Sequence, residues 1–146
     1  MDLFVSSFLN KIDKKGRVSL PSIFRNVLAN SKKNEIILFK SIQSPSIEGC
    51  SITRLDEIAS RISNLDFFSE DYDDFSMSVF SEVIPTNLDK EGRFQISEDL
   101  KNYANIKNEV LFFGQGLFFQ IWEPEAGILK RQNSKNRLLK QKKSLR

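Results

Sequence analysis

The residues of this 146-residue chain best suited to do chemistry are cations held at two tight turns. Asp13-Lys14-Lys15-Gly16-Arg17 puts three cationic side chains within four positions. Asp89-Lys90-Glu91-Gly92-Arg93 repeats the pattern with an acid, Glu91, in place of the second lysine. An Asp at the start of such a turn can accept hydrogen bonds from the amides that follow it. A Gly tolerates the positive φ that a short loop between strands requires. The Arg then stands first in the outgoing strand, so a rigid element presents it. A guanidinium can grip guanine or phosphate bidentately, and a Lys ammonium supplies charge. A basic tip on a β-ribbon is one of the shapes that fit the DNA major groove. The candidate DNA-binding residues are therefore Lys14, Lys15, Arg17, Lys90 and Arg93. Lysines on phosphate would position the protein, and the arginines are the better base readers. Asp13, Gly16, Asp89 and Gly92 shape the turns.

The elements that must position these turns are also duplicated. Ile12–Leu20 aligns with Leu88–Ile96 at an offset of 76, and Phe24-Arg25-Asn26 continues against Leu100-Lys101-Asn102. With two residues dropped, Glu35–Phe39 matches Glu109–Phe113. Each unit reads as an extended apolar segment (Leu3–Ile12, Val79–Leu88), the turn, and a short strand (Arg17–Leu20, Arg93–Ile96). A short helix follows, opened by Pro21 or Ser22 in the first unit and capped by Ser97 in the second. Two strands close each unit: Glu35–Lys40 with Ser51–Arg54, and Glu109–Gly114 with Leu117–Trp122. Between the units, Leu55, Ile58, Ile62 and Leu65 have helical spacing, and the acidic run 66–74 starts a second short helix reaching Phe80. The Ser- and Pro-rich stretch 41–49 reads as a mobile hairpin loop.

A lone Asp-x-x-Gly-Arg turn is most simply a connector whose Asp and Arg pair with each other. A connector needs no cluster of cations, and it need not recur in the same strand–turn–strand–helix setting. The copies are unequal, because Glu91 offsets Lys90. The first turn is the expected stronger contact.

Composition narrows the function classes. The chain has no His, which removes His-based acid–base catalysis and His metal sites. Its one cysteine, Cys50, allows no internal disulfide and no Cys-rich zinc site, and reads as a small core residue just before a strand. No metal and no cofactor is expected. The acids at 66–74 do not follow the spacing of a calcium loop. No run approaches a membrane span, and Met1–Leu9 lacks the basic start and apolar core of a signal peptide. The expected setting is cytoplasmic. The net charge of +3 hides a polarised chain: residues 130–146 hold eight Lys/Arg and no acid, leaving 14 basic against 19 acidic residues, or −5, in 1–129. That basic tail is either a solvated, frayed helix or an arm that raises general affinity for DNA.

Asp13–Arg25 resembles the first signature of the MraZ family, within the SpoVT/AbrB class of swapped-hairpin DNA-binding folds. Leu88–Ile96 resembles the second signature, and Leu111–Gly116 with Phe119–Glu123 the family's C-terminal hairpin. The resemblance covers about residues 1–129. It implies a mainly β fold with short helices (α+β), in which two tandem AbrB-like units interleave into one pseudo-symmetric β-barrel. It divides the chain into a first repeat with its trailing helix (1–65), an inter-repeat segment (66–80), a second repeat (81–129) and the tail (130–146). It further implies a bacterial transcription regulator, in the sense of a repressor, of division and cell-wall gene clusters. Its partners would be double-stranded DNA with short repeated operator boxes and other copies of itself in a ring-like homo-oligomer, with no membrane and no small-molecule substrate. Such a protein would be nucleoid-associated. The family's functional arginines fall by position on Arg17 and Arg93, and its signature lysine on Lys15.

Two other classes compete. An AbrB-like antitoxin or general transition-state-type regulator would carry one swapped-hairpin unit and a partner-gripping tail, whereas two units stand here. An enzyme would need carboxylate pairs or a Ser–Lys arrangement, and the clustered acids show no convergent partner.

Overall fold

The computed structural model describes residues 3–28 and 34–141. The first repeat supplies β1 (Ser7–Lys11), β2 (Arg17–Ser19), α1 (Ser22–Leu28), β3 (Glu35–Lys40) and β4 (Ile47–Cys50). Helices α2 (Ile52–Ile62) and α3 (Glu70–Ser78) and a single 3₁₀ turn (Phe80–Glu82) lead to the second repeat. That repeat supplies β5 (Ile84–Asn87), β6 (Arg93–Gln95), α4 (Glu98–Tyr103), β7 (Glu109–Gly114) and β8 (Phe119–Trp122), and α5 (Pro124–Lys140) follows.

Six strands form one antiparallel sheet in the order β1-β7-β8-β4-β3-β5, and β2 pairs with β6 as a separate ribbon. Each repeat thus lends its leading strand to the other: β1 lies on β7, and β5 on β3. The pairings obey a pseudo-two-fold axis. It passes through Val18↔Phe94 in the ribbon and Glu48↔Gln120 at the centre of the sheet. The mainly β, α+β class holds, and so does the interleaving. The ladder itself is open, with β1 and β5 at its edges, so the expected single barrel is not closed by hydrogen bonds.

Both faces of the sheet are covered, which explains the unbroken apolar runs in β3 and β7. Ile36, Leu38, Val110 and Phe112 face the main core with Val18, Leu20, Phe24, Phe94 and Leu100. Their neighbours Ile37 and Phe39 pack with Cys50 and Val79, while Leu111 and Phe113 pack with Trp122 under α5. Phe24 stands edge-on to Phe4, Phe8 and Phe112 at ring distances of 5.3, 5.6 and 6.0 Å, so α1 is locked over the sheet by aromatic contacts.

Several expected boundaries move. The strand expected at Leu117–Trp122 begins only at Phe119, and the helix expected to reach Phe80 from the acidic run is Glu70–Ser78. The strand expected at Ser51–Arg54 is β4, ending at Cys50. Ser51 instead caps α2, its hydroxyl accepting from the Arg54 amide at 3.1 Å, which satisfies a helix donor that a strand would spend on a neighbour. Cys50 is thus the last residue of a buried strand, and burial pushes its thiol up to about 12. The extended segment expected from Val79 begins only at Ile84, because Val79 closes α3 and is held in the core beside Phe75 and Phe80. The hairpin loop expected across 41–49 shrinks, since Ile47 already belongs to β4 and the buried Ser41 amide donates to Ser46 O at 3.0 Å. Ser97 caps α4 as expected, accepting from Leu100 N at 3.2 Å. Helix α5 crosses residue 130 without a break; its expected continuation at 142–146 lies outside the described residues.

Candidate nucleic-acid interface

Each turn is a closed hydrogen-bonded loop built on its aspartate. Asp13 Oδ1 accepts from the Lys15 amide at 2.9 Å and the Arg17 amide at 2.8 Å. Asp89 Oδ1 accepts from the Glu91 amide at 2.9 Å and the Arg93 amide at 3.0 Å. The backbone closes the same way twice: the Asp amide donates to the Arg carbonyl, and the Gly amide to the Asp carbonyl. Gly16 and Gly92 sit at φ +82° and +78°, the left-handed region that a Cβ penalises. The Arg17 amide, with its guanidinium and the Lys15 amide, holds the Asp13 carboxyl below the ordinary carboxylate range. The Arg93 amide does the same for Asp89, followed by the Glu91 amide and the Arg93 guanidinium.

The arginines also bond their own aspartates. Arg17 Nε lies 2.8 Å from Asp13 Oδ2, and Arg93 Nε lies 3.1 Å from Asp89 Oδ2. The pairing expected of a plain connector is therefore present in both turns. Nε anchors the side chain, and a guanidinium has five donors, so the terminal amines stay outside that bond. Arg93 has a second acid near it, Glu91 Oε2 at 3.6 Å from Nη2. No such acid follows Asp13, where Lys14 and Lys15 are exposed.

The decisive geometry is the pairing of β2 with β6. Arg17 lies opposite Gln95, Val18 opposite Phe94, and Ser19 opposite Arg93. Because side chains alternate, Val18 and Phe94 face the core, 1% and 2% exposed. Arg17, Ser19, Arg93 and Gln95 share the outer face. Arg17 and Arg93 are diagonal neighbours, roughly 7–8 Å apart on such a ribbon. Two turns 76 positions apart in the chain thus put their arginines on one small surface. Lys14, Lys15 and Lys90 stand at the two opposite ends of that ribbon, on exposed loop tips.

Four residues on this surface or beside its turns escape sequence reasoning. Ser19 and Gln95 join it only through the inter-repeat pairing. Lys11, exposed at the end of β1, adds a cation beside the first turn; its place just ahead of Asp13 was the available signal. Arg25 on α1 reaches across the repeats. Its Nη1 donates to Leu20 O at 2.7 Å, and a Cβ on Gly92 would meet that nitrogen at 2.3 Å. The matching residue of the second repeat, Lys101, instead forms an ion pair with Glu98, its Nζ 3.6 Å from Oε1. Among the described residues no group of three or more His, Cys, Asp or Glu could hold a metal ion. Among them, too, no helix is long and apolar enough to cross a membrane.

Two strand–turn–strand repeats that exchange their leading strands present paired arginines on one β-ribbon. Comparison with known proteins places it. A family model described as "MraZ protein, putative antitoxin-like" matches residues 79–127. "Transcriptional regulator MraZ" of Pelagibacter ubique (strain HTCC1062) is 46% identical over 124 residues, 85% of this chain and 80% of that protein. The proteins of that name from Rickettsia bellii (strain OSU 85-389) and Rickettsia canadensis (strain McKiel) are 40% and 36% identical, each covering 86% of this chain and 84% of their own length. The chain belongs to the MraZ family of transcriptional regulators.

Proposed function

We propose that this chain is a sequence-specific DNA-binding regulator that lays the outer face of the β2–β6 ribbon into the major groove. The observation that carries this reading is the convergence of Arg17 and Arg93 on one exposed ribbon face. A two-stranded ribbon fits a groove about 12 Å wide, and paired arginines suit guanine O6 and N7. Lys14 and Lys15 then reach phosphates on one side and Lys90 on the other. The first end is the stronger, because Arg93 is shared with Glu91. The family resemblance extends the reading to repression of a division and cell-wall gene cluster through short repeated operator boxes, in the cytoplasm and on the nucleoid.

The basic tail, residues 130–146, adds affinity without reading sequence, since residues 1–129 carry a net charge of −5. Assembly into a ring of copies has support in two exposed apolar surfaces of opposite charge. Phe67, Phe68 and Met77 lie among the acids of the inter-repeat segment, and Ile128, Leu129 and Leu139 among the bases of α5. A heterologous contact of this kind closes into a ring when its rotation allows.

A fluorescence titration against the protein's own upstream DNA, repeated across salt concentrations, tests the central reading. Steep salt dependence with clear preference over scrambled duplex is expected. Equal affinity for both duplexes would overturn it. The family model's description also names an antitoxin-like character. That role predicts a tight complex with the product of a neighbouring small gene, which co-expression and co-purification would reveal.

A further inference from the structure

We infer that Gln95 is a base-reading residue, and that with Arg17 it makes the ribbon read DNA with a polarity. The inference rests on the reading of the ribbon as the DNA-contacting face. The pseudo-two-fold axis through Val18↔Phe94 exchanges Arg17 with Arg93 and Ser19 with Gln95. The arginines obey the symmetry. The other two positions break it: one end of the outer face carries Arg17 with Gln95, the other Arg93 with Ser19.

Position favours Gln95 for contact. Ile96 N donates to Gly16 O, and Leu20 N to Gly92 O. By the alternation of antiparallel pairing, Arg17↔Gln95 falls at a non-hydrogen-bonded site, where Cα atoms are about 4.5 Å apart and side chains closest. Successive bases are spaced about 3.4 Å along a strand, so the two side chains can address the same base pair or adjacent ones. Gln95 leans over the first turn, its Nε2 3.9 Å from where a Cβ on Gly16 would stand. Its residue is exposed, and its amide has no hydrogen-bond partner among the described residues. It is too far out to serve the core, which Phe94 and Ile96 fill on either side of it.

Chemistry then sets the preference. A glutamine amide pairs bidentately with adenine N6 and N7, as an arginine does with guanine O6 and N7. A serine hydroxyl suits several bases and discriminates weakly. The Arg17 end should therefore select an adenine beside the guanine taken by Arg17. The Arg93 end should select its guanine with a looser neighbour. A binding site read this way has a direction even though the fold is nearly two-fold.

Selection from a pool of random duplexes by the full chain, by Gln95→Ser and by Gln95→Glu, followed by sequencing, tests this. The native chain should enrich a guanine with an adjacent adenine. Gln95→Ser should lower the preference for that adenine by roughly 5- to 150-fold while keeping the guanine. Gln95→Glu should move the preference toward cytosine, whose N4 donates to a carboxylate. All three proteins should show the same melting temperature, because Gln95 is exposed. Identical motifs for the native chain and both variants would overturn the role of Gln95 alone. Failure of the native chain to enrich any motif would overturn this inference and the parent reading together. A motif lost in Arg17→Ala but untouched in the Gln95 variants would leave the parent reading standing and sink this one.

Discussion

The two turns share a backbone and differ in charge and bracing. Both close on an aspartate that takes two amides and one Nε, and both use a glycine at positive φ. The first presents Lys14 and Lys15, and among the described residues Arg17 pairs with no acid but Asp13. The second sets Glu91 near Arg93 and is braced from behind by Arg25. The hydrogen-bond frame is the same in both turns, because the frame makes the turn possible. The side chains at the tip differ, Lys15 against Glu91, because the frame uses only their backbone amides.

The comparison can be broken most sharply at the arginines. Arg17→Ala should cost about 1–3 kcal/mol of operator binding per ribbon, the range of a lost bidentate base contact, with the fold intact. Arg93→Ala should cost less; equal losses in parallel titrations would erase the claimed inequality. Next come the glycines. Gly92→Ala and Gly16→Ala each force a Cβ into the left-handed region, at about 1–2 kcal/mol of folding stability. Gly92→Ala should be the worse in chemical denaturation, since it also displaces the Arg25 guanidinium. Glu91→Lys should then make the second tip resemble the first. The slope of log affinity against log salt should steepen by about 0.9 if one phosphate contact is added. An unchanged slope would place that tip away from the DNA.

The aspartates predict a pH dependence. Asp13 has a folded-state pKa below its unfolded one, so its carboxylate contributes stability above the unfolded value. That contribution is lost as pH falls through the lowered folded value. The melting temperatures of the native chain and Asp13→Asn should therefore differ at neutral pH and converge in acid. The smallest effect is expected on the axis itself. Glu48 faces its repeat-mate Gln120 across β4 and β8, and burial raises its pKa. Its charge opposes folding above the ordinary carboxylate range, and that penalty fades as pH falls. Among the described residues, Oε1 of Glu48 is buried with no hydrogen-bond partner. Glu48→Gln would make the axis pair identical and should raise the melting temperature at neutral pH, with the gain shrinking in acid.

Local patterns carried much of this structure into view. The turns, β3 and β7 were legible to the residue, since Glu35–Lys40 and Glu109–Gly114 are apolar runs with abrupt polar ends. The helix spacing of Leu55, Ile58, Ile62 and Leu65 was legible for its first three members, which α2 contains; Leu65 lies past its end. What failed was where a strand hands over to a helix. Ser51 suits a strand by its neighbours and a cap by its hydroxyl, and only the pairing of Ile47 with Ile121 and Lys40 decides between them. Val79 looked extended for the same reason: an apolar residue fits a strand or a helix end, and its burial beside Phe75 settles which.

The sequence by itself determined the duplicated turn, the cations it carries and the inequality between its copies. These depend on residue types within five positions of each other, where backbone chemistry alone dictates the shape. Only the tertiary structure decided that the two turns serve one surface. Local spacing cannot reveal that β2 pairs with β6 rather than with its own repeat, because that pairing is set by how two halves bury a common core. The same pairing brought Ser19 and Gln95 beside the arginines, and set on one outer face residues that in the chain look like ordinary strand positions.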